Sequence, residues 1–442
     1  FRSKFSEDIF YTKYSHEGAE TFHELACTLV EDVCQDKLSK DDKEALIDHI
    51  SNLRFIPGGR YLYYAGREKK FFNNCYLLKA EEDTREDWAD LSWKSESCLM
   101  TGGGIGIDYS VYRPEGQTLK GTGGISSGPI PKMQMINSIG QKVMQGGSRR
   151  SAIYASLNWQ HDDVDKFLKA KNWFDMPVGN TGKTLFDIKQ DDFNFPAPLD
   201  MTNISVNYDT EWLLNYWEKG EIGDVFRTNV RQALRTAEPG FSFNFFEKEN
   251  ETLRNACTEV TSEDDSDVCN LGSLNFARID DLNQLQEVVQ LATQFLLCGT
   301  LRASLPYEKV YQVRASNRRL GLGLMGLHEW LIQRGHRYET TSELHRWFKV
   351  YEAESDKVAR SFANQLNISV PVAVRAVAPT GTIGILAGTS TGVEPIFAVA
   401  YKRRYLKNKR WHYQYVVDSA AQEMIELYGV KPDSIDSALD LA

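Results

Sequence analysis

Three residues with clear chemical potential lie close together in the run Asn255-Ala-Cys-Thr-Glu259. An amide can hold a hydroxyl group, a carboxylate can accept its proton, and a thiol can do nucleophilic or one-electron chemistry. If the run is extended, the side chains of Asn255, Cys257 and Glu259 point to the same side. The spacing therefore predicts a small polar site, and a strand edge with a buried cysteine is the competing structural interpretation.

A second candidate is the turn after the apolar stretch Val372–Val377, which is predicted to be a buried strand. The turn should open a helix, where free N–H groups and threonine hydroxyls suit a phosphate. It is not a Walker A loop, because no Gly-Lys-Ser/Thr follows, and an ordinary N-capped turn is the alternative. The residues of this turn are Pro379, Thr380, Gly381, Thr382 and Ile383.

Two basic segments and one glycine motif are less specific. The segment Tyr401–Arg410 has six basic residues in nine positions, which favours a solvated face or a contact with one nucleotide. The G-x-G-x-x-G match at Gly321–Gly326 follows no convincing strand, so close backbone packing explains it better than dinucleotide binding. A flexible basic loop suits a nucleotide ligand, with a plain solvent loop as the alternative. Its residues are Gln145, Gly146, Gly147, Ser148, Arg149 and Arg150.

Composition limits the class of protein. A chain of 442 residues with 42% hydrophobic and 12% aromatic residues can bury a large core, and its charge of −10 argues against a general nucleic-acid coat. No apolar run reaches the length of a membrane span, and the charged, amphipathic start is no signal peptide. The seven cysteines form no C-x-x-C pair, which argues against a zinc ribbon and favours a cytoplasmic protein with reduced thiols.

The elements that must position these residues alternate between helices and strands. Residues 17–52 read as two helices, with apolar residues at helical spacing. Further helices are predicted over 84–100, from Pro131, and over 161–171, 281–303, 341–364 and 416–428. Strands are predicted over 71–78, 105–111, 152–157, 201–207, 241–246 and 372–377. This order predicts an α/β fold with a parallel sheet, helices outside, and no linker that would divide residues 55–442.

Several stretches together resemble the catalytic subunit of ribonucleotide reductase, from about Phe55 to about Tyr405. The run Asn255–Glu259 looks like the family's Asn-Pro-Cys-Gly-Glu loop, with Ala256 and Thr258 in place of Pro and Gly. Together with five other motifs, this run stands in the family's order. The others are Asn74-Cys75 and Asp267–Asn275 (the two redox-cysteine segments), Gln145–Arg150 (the effector-sensing loop), Asn317–Gly323 and Ala378–Ile383.

The resemblance implies a role for each of these residues. A thiyl radical at Cys257 would remove the 3′ hydrogen of a ribose, Glu259 would accept the 3′-hydroxyl proton, and Asn255 would hold the sugar oxygens. Loss of the 2′-hydroxyl as water would oxidise Cys75 and Cys269 to a disulfide. Asn74 and the turn Pro379–Ile383 would bind the substrate, the turn through its phosphates.

The resemblance also implies an architecture and a regulatory site. Residues 1–54 would be a short helical region and 55–442 a ten-stranded α/β barrel with the Cys257 loop at its dry centre. The family forms dimers, with a specificity site near helices 84–100 and 130–145. Asp83, or Glu82 in its place, would hold the ribose of a dNTP or ATP effector, whose base would press on Gln145–Arg150.

The resemblance implies no metal site on the chain and no permanently bound cofactor. The radical would come from a separate ferritin-like metal subunit, favoured by the lack of an insertion to cradle a corrin, or from adenosylcobalamin, which the Thr-Gly-Thr-Ile turn favours. A thioredoxin- or glutaredoxin-type reductant would restore the thiols, and no nucleic acid or membrane is involved. The alternatives are another thiyl- or glycyl-radical barrel enzyme, against which Cys75 and Cys269 argue, and a non-catalytic nucleotide-binding regulator.

Overall fold

The fold is described from a computed structural model, which covers residues 1–121, 123–143, 151–407 and 410–441. These residues form two compact units. Unit one comprises Phe1–Asn74, Cys269–Ser304 and Arg314–Ala442, and unit two comprises Cys75–Val268 and Leu305–Val313. Each unit has its own hydrophobic core.

Helices and strands alternate along much of the chain. In chain order, the helices are α1 (Lys4–Lys13), α2 (Phe22–Cys34), α3 (Lys40–Ser51), α4 (Gly59–Tyr64), α5 (Arg85–Met100), α6 (Pro129–Lys142), α7 (Val164–Lys169), α8 (Leu185–Asp191), α9 (Thr210–Lys219), α10 (Asp224–Thr236), α11 (Leu282–Arg302), α12 (Glu308–Asn317), α13 (Leu327–Ile332), α14 (Ser342–Gln365), α15 (Gly381–Ala387), α16 (Ser419–Tyr428) and α17 (Ala438–Leu441). The strands are β1 (Phe55–Pro57), β2 (Cys75–Lys79), β3 (Gly104–Asp108), β4 (Ile153–Asn158), β5 (Thr202–Tyr208), β6 (Gly240–Phe243), β7 (Leu253–Arg254), β8 (Thr261–Ser262), β9 (Asp267–Asn275), β10 (Leu320–Met325), β11 (Ala400–Lys407) and β12 (Arg410–Val417).

The core of unit one is built from amphipathic helices. In α2, Phe22, Leu25, Leu29 and Val33 recur every three or four residues and are all buried. Thr21 caps the helix, because its hydroxyl accepts a hydrogen bond from a first-turn N–H group. The two helices predicted within residues 17–52 are confirmed as α2 and α3, and α1 is a further helix that was not predicted from the sequence.

A small sheet in unit one carries the second candidate site. Strand β1 pairs antiparallel with β9, and β10 pairs parallel with β9. The stretch Val372–Val377 runs beside β10, where the Leu322 N–H group bonds the Val374 carbonyl at 3.0 Å. Its prediction as a strand is wrong in part, because this stretch forms only one isolated bridge, at Arg375.

Unit two is built on five parallel strands in the order β2, β3, β4, β5, β6. Side chains alternate between the faces of such a sheet. One face is apolar and packs with α5 and α6 in a buried core that includes Ile107, Ala155 and Ile204. The opposite face is polar. On β3, β4 and β5 that face carries Gly106, Asp108, Tyr154, Ser156, Asn203, Ser205 and Asn207.

The predicted α/β class with parallel strands is therefore confirmed. The basic segment Tyr401–Arg410 belongs to the antiparallel hairpin of β11 and β12. Because β12 extends to Val417, α16 begins at Ser419 and not at residue 416. Among the described helices, none is long and apolar enough to cross a membrane.

Candidate functional site

The run 255–259 lies at the tip of a tight hairpin in unit two. Strands β7 and β8 pair antiparallel, with Arg254 opposite Thr261. Between them, the Thr258 N–H group bonds the Asn255 carbonyl at 2.9 Å, and Thr258 has a φ of +66°. The prediction of an extended run is wrong, because the chain must reverse direction within these residues to return along β8.

Asn255 joins the loop to the start of β2. It is fully buried, and its Nδ2 group donates to the Cys75 Sγ atom at 3.2 Å. Its Oδ1 atom accepts from the Val260 N–H group at 3.0 Å. Both ends of the amide are therefore used, and one of them holds a thiol that was predicted to belong to the same site.

Glu259 has the environment of a proton acceptor. Burial raises the pKa of its carboxyl group above the ordinary value of 4.5, and a hydrogen bond with Asn255 offsets part of that rise. Its Oε2 atom is buried and has no hydrogen-bond partner among the described residues. An unpaired, poorly hydrated carboxylate oxygen gains from accepting a proton, as a catalytic base must.

Cys257 differs from the other cysteines predicted for the site. Its side chain is exposed, whereas Cys75 is buried. The resemblance implied a dry position for Cys257, and the exposure of its side chain disagrees with that expectation. The loop thus exposes Cys257, while Asn255, two residues earlier, is buried.

The base of the loop lies directly on the polar face of the sheet. A Cβ atom added to Gly106 would lie 1.6 Å from the Arg254 carbonyl oxygen, so only glycine permits this approach. On β5, Asn203 donates to the Ala256 carbonyl at 3.1 Å. From the sequence, Gly106 was placed in the strand predicted over 105–111, and its contact with the loop was not predicted. Glycine alternating with apolar residues in Gly104–Asp108 was the available signal.

Cys269 and Asn74 belong to unit one. Cys269 is buried, and the Asn74 N–H group bonds its carbonyl oxygen at 3.4 Å. The Asn74 Oδ1 atom is buried, and no residue that the structure describes bonds to it. A Cβ atom on Gly321 would lie 2.9 Å from the Cys269 Sγ atom, which confirms close packing as the explanation for glycine at that position.

The turn Pro379–Ile383 opens α15, as predicted. Thr380 has a φ of +47°, and its hydroxyl accepts from the Gly392 N–H group at 2.8 Å, so this side chain supports the turn. A Cβ atom on Gly381 would meet no atom of the described residues within 4 Å, which leaves space at the first turn. Thr382 is half-buried beside that space.

The structure describes only some of the candidate effector residues. The Asp83 carboxylate accepts from the Trp88 indole N–H group at 3.0 Å and from the backbone and side chain of Arg113. Glu82, the alternative, is exposed. The loop Gln145–Arg150 lies outside the described residues. Among those residues, no group of three or more His, Cys, Asp or Glu side chains could hold a metal ion.

Comparison with known proteins was made at the level of family, sequence and structure. The model of the family "Ribonucleotide reductase, barrel domain" matches residues 73–176, 207–353 and 372–439, which make up most of the chain. The chain is 28% identical to a vitamin B12-dependent ribonucleoside-diphosphate reductase of Thermoplasma acidophilum over 81% of its own length and 50% of the relative's. It is 26% identical to a ribonucleoside-diphosphate reductase subunit alpha of Chlamydia muridarum, over 64% of this chain and 31% of that one.

The fold agrees with this assignment. The structure of the Actinobacillus ureae class Id ribonucleotide reductase alpha subunit matches with a TM-score of 0.72 at 16% identity, over 90% of this chain and 76% of that one. The chain spans about half the length, or less, of the Thermoplasma and Chlamydia relatives. The match in family, sequence and fold shows that the chain belongs to the ribonucleotide reductase barrel-domain family.

Proposed function

We propose that this chain is the catalytic part of a ribonucleotide reductase, which converts ribonucleotides to 2′-deoxyribonucleotides. One observation carries the proposal: buried Asn255 contacts the Cys75 thiol and the Glu259 carboxyl, in the loop that exposes Cys257. One loop and its adjoining strand thus bring together an amide, a carboxyl group and two of the three thiols that this reaction requires.

The reaction begins with a thiyl radical at the Cys257 Sγ atom. This radical takes the 3′ hydrogen atom of the ribose, while Glu259 accepts the 3′-hydroxyl proton and Asn255 holds the sugar oxygens. The unpaired Oε2 atom of Glu259 provides a place for the proton. Cys257 returns its hydrogen atom to the 3′ carbon at the end of the cycle.

Loss of the 2′-hydroxyl as water needs two electrons that the substrate itself does not supply. Cys75 and Cys269 give two electrons and two protons, so one ribonucleotide and two thiols become one deoxyribonucleotide, one water and one disulfide. A thioredoxin- or glutaredoxin-type protein would then reduce this disulfide. Asn74 and the turn Pro379–Ile383 bind the substrate, and the open space at Gly381 supports placing the phosphates there.

The proposal also includes a regulatory nucleotide and a second copy of the chain. A dNTP or ATP effector binds at Asp83 or Glu82 and at Gln145–Arg150, in a homodimer that uses α5 and α6. Because the Asp83 carboxylate is already bonded to Trp88 and Arg113, exposed Glu82 is the less constrained partner for an effector ribose.

The radical reaches Cys257 either from a separate ferritin-like metal subunit or from adenosylcobalamin. Relatives named as alpha subunits and relatives named as vitamin B12-dependent enzymes support the two routes respectively. The exposure of Cys257 suits transfer of the radical from outside the chain, whichever group supplies it.

The test is reduction of ribonucleoside diphosphates and triphosphates by the full-length protein, with adenosylcobalamin or with a candidate metal subunit. Cys257→Ser should abolish deoxynucleotide formation while effector binding persists, because a hydroxyl cannot carry the thiyl radical. Cys27→Ser, a change on α2, serves as the control and should keep full activity. Turnover by Cys257→Ser would refute the mechanism, and binding of nucleotides without turnover by the wild type would favour the regulator.

A further inference from the structure

Arg254, the residue before the loop, is held by three acceptors at the end of β6. Its Nε group donates to the Ser242 hydroxyl at 2.6 Å. A terminal nitrogen donates to the Asn244 Oδ1 atom at 3.0 Å and to the Phe243 carbonyl at 3.1 Å. All three acceptors are uncharged, and burial lowers the pKa of Arg254, so these bonds depend on hydrogen-bond geometry and not on ion pairing.

The main chain of the same residue is held at a different strand. The Arg254 carbonyl oxygen lies where a Cβ atom of Gly106 on β3 would be. In the sheet order, β4 and β5 separate β3 from β6. Arg254 therefore crosses two strands of the polar face, with its backbone on β3 and its guanidinium group on β6.

This attachment lies three residues before Cys257. Arg254 also pairs with Thr261 across the hairpin, so fixing it fixes both ends of the loop. We infer that Arg254 is a positioning residue for the proposed radical chemistry, and that its attachment to β3 and β6 sets the direction in which Cys257 is presented. The effect of Arg254 on catalysis rests on the proposed function. Its effect on the position of the loop rests on the contacts described above.

The side chain's shape is as important as its charge. The planar guanidinium group offers several donors in a fixed arrangement, whereas a lysine ammonium group is a single point at the end of a flexible stem. Lysine could keep one of the three bonds, and methionine none. The series Arg254→Lys and Arg254→Met therefore separates charge from geometry. Arg235→Met is a matched control, since Arg235 on α10 is exposed and pairs with Asp175.

The first measurement is alkylation of Cys257 by iodoacetamide in the folded full-length protein, located by mass spectrometry. Cys27 on α2 is half-exposed and serves as an internal reference. In Arg254→Met, we expect the ratio of the Cys257 rate to the Cys27 rate to change by about fivefold or more, because thiol reactivity follows exposure and surroundings. Arg254→Lys should give an intermediate change, and Arg235→Met none.

The second measurement is turnover. A displaced reacting atom should lower kcat by about a hundredfold in Arg254→Met, with substrate affinity unchanged and partial recovery in Arg254→Lys. An unchanged alkylation ratio in a folded Arg254→Met protein would overturn the inference. If that variant does not fold, the ratio of the Cys257 to the Cys27 alkylation rate in Arg254→Lys tests the inference instead, and an unchanged ratio there would overturn it. Alkylation needs no turnover, so a wild type without reductase activity would refute the proposed function and leave the positioning role to be judged separately.

Discussion

Glu259 shows how one half-buried group can serve the proposed reaction at a cost in stability. Its raised pKa means that the fold favours the neutral carboxylic acid. That stabilising contribution is present below the ordinary value of 4.5 and is lost as the pH rises through the raised value. Above the raised pKa, the wild-type protein therefore bears the cost of a half-buried, ionised side chain whose Oε2 atom has no hydrogen-bond partner among the described residues.

Glu259→Gln should separate stability from activity. The amide is neutral at every pH, so Tm should match the wild type below the ordinary pKa of 4.5 and exceed it once the pH has passed the raised pKa of Glu259. Turnover should fall by about 10²- to 10⁴-fold, because the proton acceptor is lost. The measurements are thermal unfolding across pH and kcat, with Glu218→Gln, an exposed change on α9, as control. Full activity in Glu259→Gln would remove Glu259 from the mechanism.

The backbone conformation of Thr258 is a second local feature that lowers stability. A β-branched residue at a φ of +66° is strained by about 1–2 kcal/mol, which glycine would avoid. The loop that this run resembles has glycine there. The strain is maintained by the fixed ends of the hairpin, where Arg254 and Thr261 are paired.

At the scale of elements, the contact between β3 and the hairpin leaves no room for a side chain. In Gly106→Ala, the added methyl group would meet a backbone oxygen that cannot rotate away. The loop must shift, so we expect destabilisation of about 1–3 kcal/mol and a large loss of turnover. Denaturant unfolding and kcat measure the two effects.

Gly121→Ala is the matched control, because a Cβ atom there would meet no atom within 4 Å in the part of the chain that the structure describes. It should leave both unfolding and turnover close to those of the wild type. Equal stability and activity of the Gly106 and Gly121 variants would contradict the close approach of the loop to β3.

At the scale of the whole molecule, the proposed dithiol joins two cysteines that are far apart in the sequence. Cys75 begins β2, and Cys269 lies on β9. A single turnover without added reductant should therefore yield one Cys75–Cys269 disulfide per chain, detected by peptide mapping. Cys34 and Cys298, both buried on helices, should remain reduced and report that oxidation is selective.

The variants Cys75→Ser and Cys269→Ser should each prevent repeated turnover with a dithiol, since neither remaining thiol can form the disulfide alone. Substrate binding should persist in both. Sustained turnover with either cysteine replaced would refute the dithiol step and favour a different thiyl-radical reaction.

Much of the fold could be predicted from periodicity. The stripe Phe22, Leu25, Leu29 and Val33 is buried as expected, and the parallel strands of unit two lie close to their predicted positions. Helix α1 has a weaker pattern and was missed. Val372–Val377 has strand-like composition, but its pairing depends on a neighbour distant in sequence, β10.

The sequence by itself determined which chemical groups are present and their order, because residue types and motif spacing are local properties. It could not determine the direction of the run 255–259, since that depends on where β7 and β8 meet and on the room left by Gly106. Three features of the site join residues from different strands. They are the burial of Glu259, the contact of Asn255 with Cys75 and the three bonds of Arg254. Only the tertiary structure decides these, because they arise when distant segments exclude water from the same face of the sheet.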